Sequence, residues 1–259
     1  MKHAIGSGLV AFALLCTPPA AQAGEVLDHI RAGVTLRVGT TGDYKPFSFR
    51  EPDGSYVGAD IAMMRRLAAM LGVELQFVAT TWSDLARDYA GRRFDIAAGG
   101  ITKLPARAEL GPFAHTVYVD GKRPIVRCAD RDRYTSLDAL NRPDVRIVVN
   151  PGASNEDFAR TRLGAAHLTV HGDNVTVFDE IAAGRADAMV TDGIEVDHEA
   201  FVHQGVLCPA AVAAPFTRGE KAYWLQPDAD FLALVDTWVD RELSSGAWRQ
   251  ILDQALSRP

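Results

Sequence analysis

Several things are scarce in this sequence, and each shortage removes a class of function. Positive charge is scarce and scattered: 27 Lys and Arg stand against 33 Asp and Glu, for a net charge of −6. The longest basic runs are pairs, Arg65-Arg66 and Arg92-Arg93 among them. Gripping a phosphate backbone takes clustered Lys and Arg, so no nucleic-acid partner is expected. After the first 23 residues no stretch reaches the roughly 18 uninterrupted apolar residues of a spanning helix, so no membrane insertion is expected. There is no G-x-x-x-x-G-K-[ST] phosphate loop and no glycine-rich dinucleotide fingerprint. His198-Glu199 and His203 are spaced H-E-x-x-x-H, one residue too long for the zinc helix pattern. Neither a metal nor a cofactor is indicated. Cysteine is limited to three residues.

The start of the chain has a clear pattern. Lys2 supplies a positive charge, residues 5–15 are mostly apolar, and Ala21-Gln22-Ala23 has the A-x-A form of a cleavage site. These features predict a secretory signal peptide over residues 1–23, and an exported, soluble, periplasmic product. Export bears on the cysteines. Cys16 leaves with the signal, and Cys128 and Cys208 remain as an even pair in an oxidising compartment. A Cys128–Cys208 disulfide is expected, the alternative being two buried free thiols.

The rest of the chain, 47% hydrophobic overall, alternates strand and helix patterns. Strands are expected over 34–39, 73–79, 94–98, 145–149, 168–170 and 188–190. Helical spacing falls between them, as in Ile61, Met64, Leu67, Ala68 and Leu71 ahead of Gly72. This is an α/β architecture with largely parallel sheets. Gly91-Arg-Arg-Phe-Asp95 echoes Gly184-Arg-Ala-Asp187, each following a helix and leading into an apolar strand. Two lobes of like construction follow: a discontinuous first lobe from 24–121 and 218–259, and a second from 122–217.

Ligands of open α/β sheets sit beyond the carboxyl ends of the strands. At those ends Tyr44 and Trp82 either wall a ring-sized ligand or anchor their own loops. Gly99-Gly100-Ile101-Thr102 offers backbone N–H groups and a hydroxyl, and Arg107 a fork for a carboxylate. Asn150-Pro151-Gly152-Ala153-Ser154-Asn155-Glu156 opens a helix, where Ser154 and Asn155 either face an anion or cap the helix. Asp192 either holds a ligand ammonium or caps the next helix. Lys122 and Lys221, near the crossings between lobes, either add positive charge to the cleft or lie on the surface.

With its signal peptide, two α/β lobes, Gly-x-Thr…Arg107 and later Asp192, the chain resembles the amino-acid-binding proteins of ABC transporters, with a type II two-lobed fold. In that family the Arg holds the ligand carboxylate, the Asp its amino group, and hinge closure traps the ligand. More narrowly it resembles the cyclohexadienyl dehydratases built on this fold. The resemblance lies in Thr-Thr-Gly-Asp-Tyr-Lys-Pro-Phe-Ser (40–48), Asn-Pro-Gly-Ala-Ser-Asn-Glu (150–156) and His-Gly-Asp-Asn-Val-Thr-Val-Phe (171–178). Thr-Asp-Gly-Ile-Glu (191–195), Glu-Lys-Ala-Tyr (220–223) and the two later cysteines add to it. The resemblance implies dehydration with decarboxylation of prephenate to phenylpyruvate or of arogenate to phenylalanine, with a Glu as proton donor, a role assigned to Glu156. The alternative is a transport protein binding an amino acid or small carboxylate. The only partner implied is a small molecule, with a homo-oligomer left open. For Glu156 to donate a proton, burial has to outweigh the anion-stabilising helix N-terminus.

Overall fold

The computed structural model describes residues 24–152 and 154–257. The signal-peptide reading lies outside the described residues. Two larger sheets organise the chain. The first has four strands in the order Trp224–Leu225, Ile96–Ala97, Thr35–Thr40, Glu74–Ala79. The second has five: His167–Val170, Arg146–Val149, Ala188–Asp192, Lys122–Arg127, Leu207–Pro209. Side chains alternate across each sheet, as period-two geometry requires. In the second, Val126, Ile147, Val149, Ala188 and Val190 face one core, while Ile125, Val148 and Met189 face another. In the first, Leu36, Val38 and Ile96 enter the main core with helices Ala59–Leu71 and Ala229–Ser244, and Ala97 and Trp224 pack on the opposite side. Both faces of each sheet are covered, so apolar residues of the central strands are buried on both sides.

The repeated Gly-Arg turn has a physical counterpart. In the first sheet Arg37 donates from its backbone N–H and Nε to Asp95 Oδ2, at 2.9 and 3.2 Å, and from Nη2 to Oδ1. In the second Arg146 makes the same three bonds to Asp187, at 2.9, 3.1 and 2.6 Å. In each, a bidentate clamp ties the residue entering one strand to the neighbouring parallel strand.

The sheets are mixed rather than largely parallel. Lys122–Arg127 runs antiparallel to both of its neighbours, and Trp224–Leu225 runs antiparallel to Ile96–Ala97. The sequence reads residues 121–124 as a break because Gly121 and Pro124 interrupt the pattern. Instead the strand begins at Lys122 and accommodates Pro124. Tyr118–Asp120 pairs with Gly219–Lys221 in a two-stranded ribbon, and these are the segments by which the chain leaves the first sheet and returns to it. A small antiparallel sheet, Asp43–Tyr44, Ser48–Arg50 and Tyr56–Val57, was not anticipated either. Its strands are too short for alternation to register.

Cys128 and Cys208 form a disulfide across 80 residues, on the adjoining ends of two paired strands. Closing a loop of that length stabilises by about 4 kcal/mol if the effect is on unfolded-chain entropy. Reductant should therefore lower the urea midpoint of the wild-type protein and leave that of Cys128→Ser/Cys208→Ser unchanged. Equal sensitivity of the two proteins would remove the disulfide from the stability account.

Candidate functional site

A cleft opens where the carboxyl ends of strands from the two sheets meet. Tyr44, Trp82, Gly100, Thr102 and Arg107 line one side; Asn150, Ser154, Asn155, Asn174, Asp192 and Glu195 line the other. Its non-atom space is about 320 Å³, part of it open to solvent. Among the described residues, two of the contacts that cross between the sides are these. Asn174 Nδ2 donates to the Asp43 carbonyl at 2.8 Å, and the Tyr44 hydroxyl donates to Asp192 Oδ2 at 2.7 Å. The sides also approach closely at Gly152, where a Cβ would lie 2.2 Å from Ser83 Oγ; φ there is +70°, so both space and backbone favour glycine.

The floor of the cleft is an ion cluster. Lys221 Nζ donates to Asp192 Oδ2 at 2.7 Å and to the Gly100 carbonyl at 3.0 Å. Lys122 Nζ donates to Asp192 Oδ1 at 3.3 Å, to Ser154 Oγ at 3.2 Å, and to Asn155 Oδ1. Both lysines are buried; Lys122 opens a strand of the second sheet and Lys221 ends a strand of the two-stranded ribbon. Burial alone would raise the Asp192 carboxyl, but the two ammonium groups and the Tyr44 hydroxyl hold it far below the usual carboxylate range. Arg107 stands apart from this cluster. It is 8% exposed, donates to the Thr102 carbonyl at 3.1 Å, and makes no ion pair with a described residue. Burial lowers its pKa to about 10, leaving the group charged at neutral pH. Its guanidinium lies 6.0 Å from the Trp82 ring centre, and Trp82 is held in turn by Asp43 through a 3.0 Å indole bond.

Glu195 is a buried carboxyl among the residues that line the cleft. It is 3% exposed, in the first turn of the helix Gly193–Val202. Burial pushes its pKa up to about 8, against the lowering effect of the Thr191 hydroxyl; the charges of Asp192 and Glu199 add to the rise. Asn155 Nδ2 donates to Asn150 Oδ1 at 3.0 Å and to Thr191 Oγ1 at 2.9 Å, and Thr191 donates onward to Glu195 Oε2. This hydrogen-bond chain holds one carboxyl oxygen of Glu195.

Three sequence expectations change. Glu156 does not line the cleft. Its carboxylate accepts from the Gly152 N–H at 2.8 Å and pairs with Arg160, and both interactions pull its pKa down. The helix N-terminus and an i,i+4 arginine keep it ionised, and desolvation is too slight to oppose them. Asp192 neither caps the next helix through its side chain nor stands free for an ammonium, because Lys122 and Lys221 already occupy it. The N–H groups of Gly99 and Gly100 do not face a ligand: both donate to Asp60 Oδ2, at 3.0 and 2.7 Å. Gly100 instead lets Tyr44 pack close, since a Cβ there would sit 2.4 Å from the ring. Glu195 and Asn174 went unselected in the sequence, although both fall within motifs noted there. An acid between Ile194 and Val196 in a helix whose face is buried was the available signal.

The comparisons with known proteins agree with this architecture. Residues 36–257 match the bacterial extracellular solute-binding proteins, family 3, and the chain belongs to that family of two-lobed α/β proteins. Within it, the chain is 42% identical over 255 residues to a cyclohexadienyl dehydratase of Pseudomonas aeruginosa, covering 98% of this chain and 94% of that protein. Among solved structures, an ancestral amino-acid-binding protein described as a precursor of cyclohexadienyl dehydratase superposes with a TM-score of 0.81 at 32% identity, covering 89% of this chain and 99% of the other. An ancestral cyclohexadienyl dehydratase superposes with a TM-score of 0.56 at 44% identity, covering 93% and 99%.

The raised Glu195 carboxyl has a consequence for stability that needs no substrate. The folded chain holds a proton that the unfolded chain, with an ordinary Glu near 4.5, releases. The associated stabilisation is complete below that value and is lost as pH rises through about 8. Between about pH 7 and 8.5 the wild-type melting temperature should fall, and Glu195→Gln should flatten that slope. An unchanged slope would mean that Glu195 is ionised at neutral pH.

Proposed function

We propose that the chain is a cyclohexadienyl dehydratase acting on prephenate in the periplasm, delivered there by the leader at residues 1–23. The 42% identity to the Pseudomonas aeruginosa enzyme over nearly the whole chain supports this reading. The observation that carries it is Glu195, a buried carboxyl held protonated at the wall of a cationic cleft. A transport protein needs no such acid. Departure of hydroxide from a cyclohexadienol needs a proton, and a positioned general acid accelerates such steps by roughly 10²–10⁴.

Charge balance selects the substrate. Arg107, Lys122 and Lys221 supply three cations, and Asp192 offsets one. With Glu195 protonated, two positive charges remain for the two carboxylates of prephenate. Arogenate carries an ammonium as well, and Asp192 is already engaged by two lysines, so it is matched less well. Arg107 takes one substrate carboxylate as a fork, and Tyr44 and Trp82, with ring centres 5.8 Å apart, wall the substrate ring. Asn155 and Thr191 position Glu195. When Glu195 protonates the leaving hydroxyl, the C–O bond breaks to give water. The C–C bond to the ring carboxylate breaks in the same sense, its electrons complete the aromatic ring, and CO2 departs. The low dielectric of the cleft strengthens each of these electrostatic contributions.

Purified protein should convert prephenate to phenylpyruvate, followed by ultraviolet absorbance. Glu195→Gln should lower kcat by about 10²–10⁴ while calorimetry still detects prephenate binding. Glu156→Gln should leave kcat within about twofold, as a surface ion pair would. Arg107→Ala should raise KM by roughly tenfold to a hundredfold, from loss of charged hydrogen bonds. Wild type that binds an amino acid stoichiometrically and leaves prephenate intact would overturn the proposal in favour of a transport protein.

A further inference from the structure

If Glu195 spends a proton in each turnover, that proton has to be replaced. A second cavity lies on the far side of Glu195, lined among others by Asp43, Asn174, His198, Glu199 and His203. Glu195 and Asn174 border both cavities. On the helix Gly193–Val202, His198 and Glu199 stand three and four residues beyond Glu195, so all three share a face. His203 Nδ1 lies 3.4 Å from Glu199 Oε2, and its Nε2 lies 3.8 Å from Asp179 Oδ1, whose side chain is 62% exposed. A file of proton-exchanging groups therefore runs from the surface at Asp179 through His203 to Glu199, one helical turn from Glu195.

The polar atoms around the void point the same way. His198 is 2% exposed, and neither ring nitrogen has a hydrogen-bond partner among the described residues; Asn174 Oδ1 is buried and equally unpartnered. Buried polar groups of this kind are ordinarily satisfied by internal water. The space in the second cavity, about 510 Å³ of non-atom volume, admits it.

Resting on the dehydratase reading, we propose that this rear cavity is the route by which solvent protons return to Glu195, through His203 and Glu199 and across water held by His198 and Asn174. The balance is simple. Each turnover leaves Glu195 as a carboxylate, one proton from solvent restores it, and nothing is oxidised or reduced. The charged surroundings suit the task. Glu195 faces Asp192, Glu199, Lys221 and Tyr44; Glu199 faces His203, Lys45 and Asp179; His198 faces Lys45 and His203. Burial lifts the Glu199 carboxyl to about 7, where it exchanges protons readily at neutral pH. The same burial, with Lys45 and His203 nearby, lowers His198 to about 4 and keeps it neutral.

Prephenate turnover by Glu199→Gln and by His203→Gln tests the route, because neither residue lines the front cleft. The expected result is a kcat lowered about tenfold or more with KM within about twofold, restored progressively by imidazole or formate, which have no effect on wild type. An active wild type and a Glu199→Gln kcat that is unchanged, or lowered but not restored by small buffers, would overturn the relay alone. A wild type inert toward prephenate would overturn the dehydratase reading and the relay together.

Discussion

Asp192 ends its strand with one carboxylate oxygen against Lys122 and the other against Lys221 and the Tyr44 hydroxyl. A carboxylate largely withdrawn from water is costly unless well paired. The three partners come from distant parts of the chain: the short strand Asp43–Tyr44, the start of Lys122–Arg127 and the end of Gly219–Lys221. The cluster therefore does two things. It ties the two sides of the cleft together through Tyr44, and it fixes the charge of the floor. Its negative charge also helps to keep Glu195 protonated one helical turn away.

From that constraint the chemistry follows. A solute-binding fold brings the carboxyl ends of strands from two sheets to face one another, which suffices to hold a small polar molecule. Catalysis needs one more component, an acid that is neutral when the substrate arrives. Here Asn155 and Thr191 hold Glu195 in place, and exclusion from water sets its protonation. Arg107, outside the lysine cluster, is a buried cation with no ion-pair partner among the described residues. Glu156, in contact with an arginine and a helix N-terminus, has the opposite environment, which explains why two glutamates near one cleft differ so far in acidity.

Much of the scaffold was legible in the sequence because it depends on local pattern. The apolar runs around Val38, Ile147 and Met189 marked central strands. The Gly-Arg echo marked a duplicated turn, now seen closed by Arg37–Asp95 and Arg146–Asp187, and a pair of cysteines in an exported chain pointed to a disulfide. What stayed hidden depends on contacts across long separations. Nothing near Asp192 in sequence announces Lys122 or Lys221 as its partners. Gly99 and Gly100 looked free to bind an anion because Asp60, on a distant helix, could not be seen to claim them. The resemblance assigns the proton donor to Glu156, at a helix start, because the face that the later helix Gly193–Val202 turns to the cleft is set by packing and not by local pattern. Pro124 hid a strand because its place in the sheet was unknown.

The central claim is that Glu195 is uncharged at neutral pH. Infrared spectroscopy measures this directly, since a protonated carboxyl shows a C=O stretch distinct from carboxylate bands. In the difference spectrum between wild type and Glu195→Gln, that stretch should be present near pH 6.5 and disappear as pH is raised through about 8. A difference spectrum showing only carboxylate bands across that range would contradict the account.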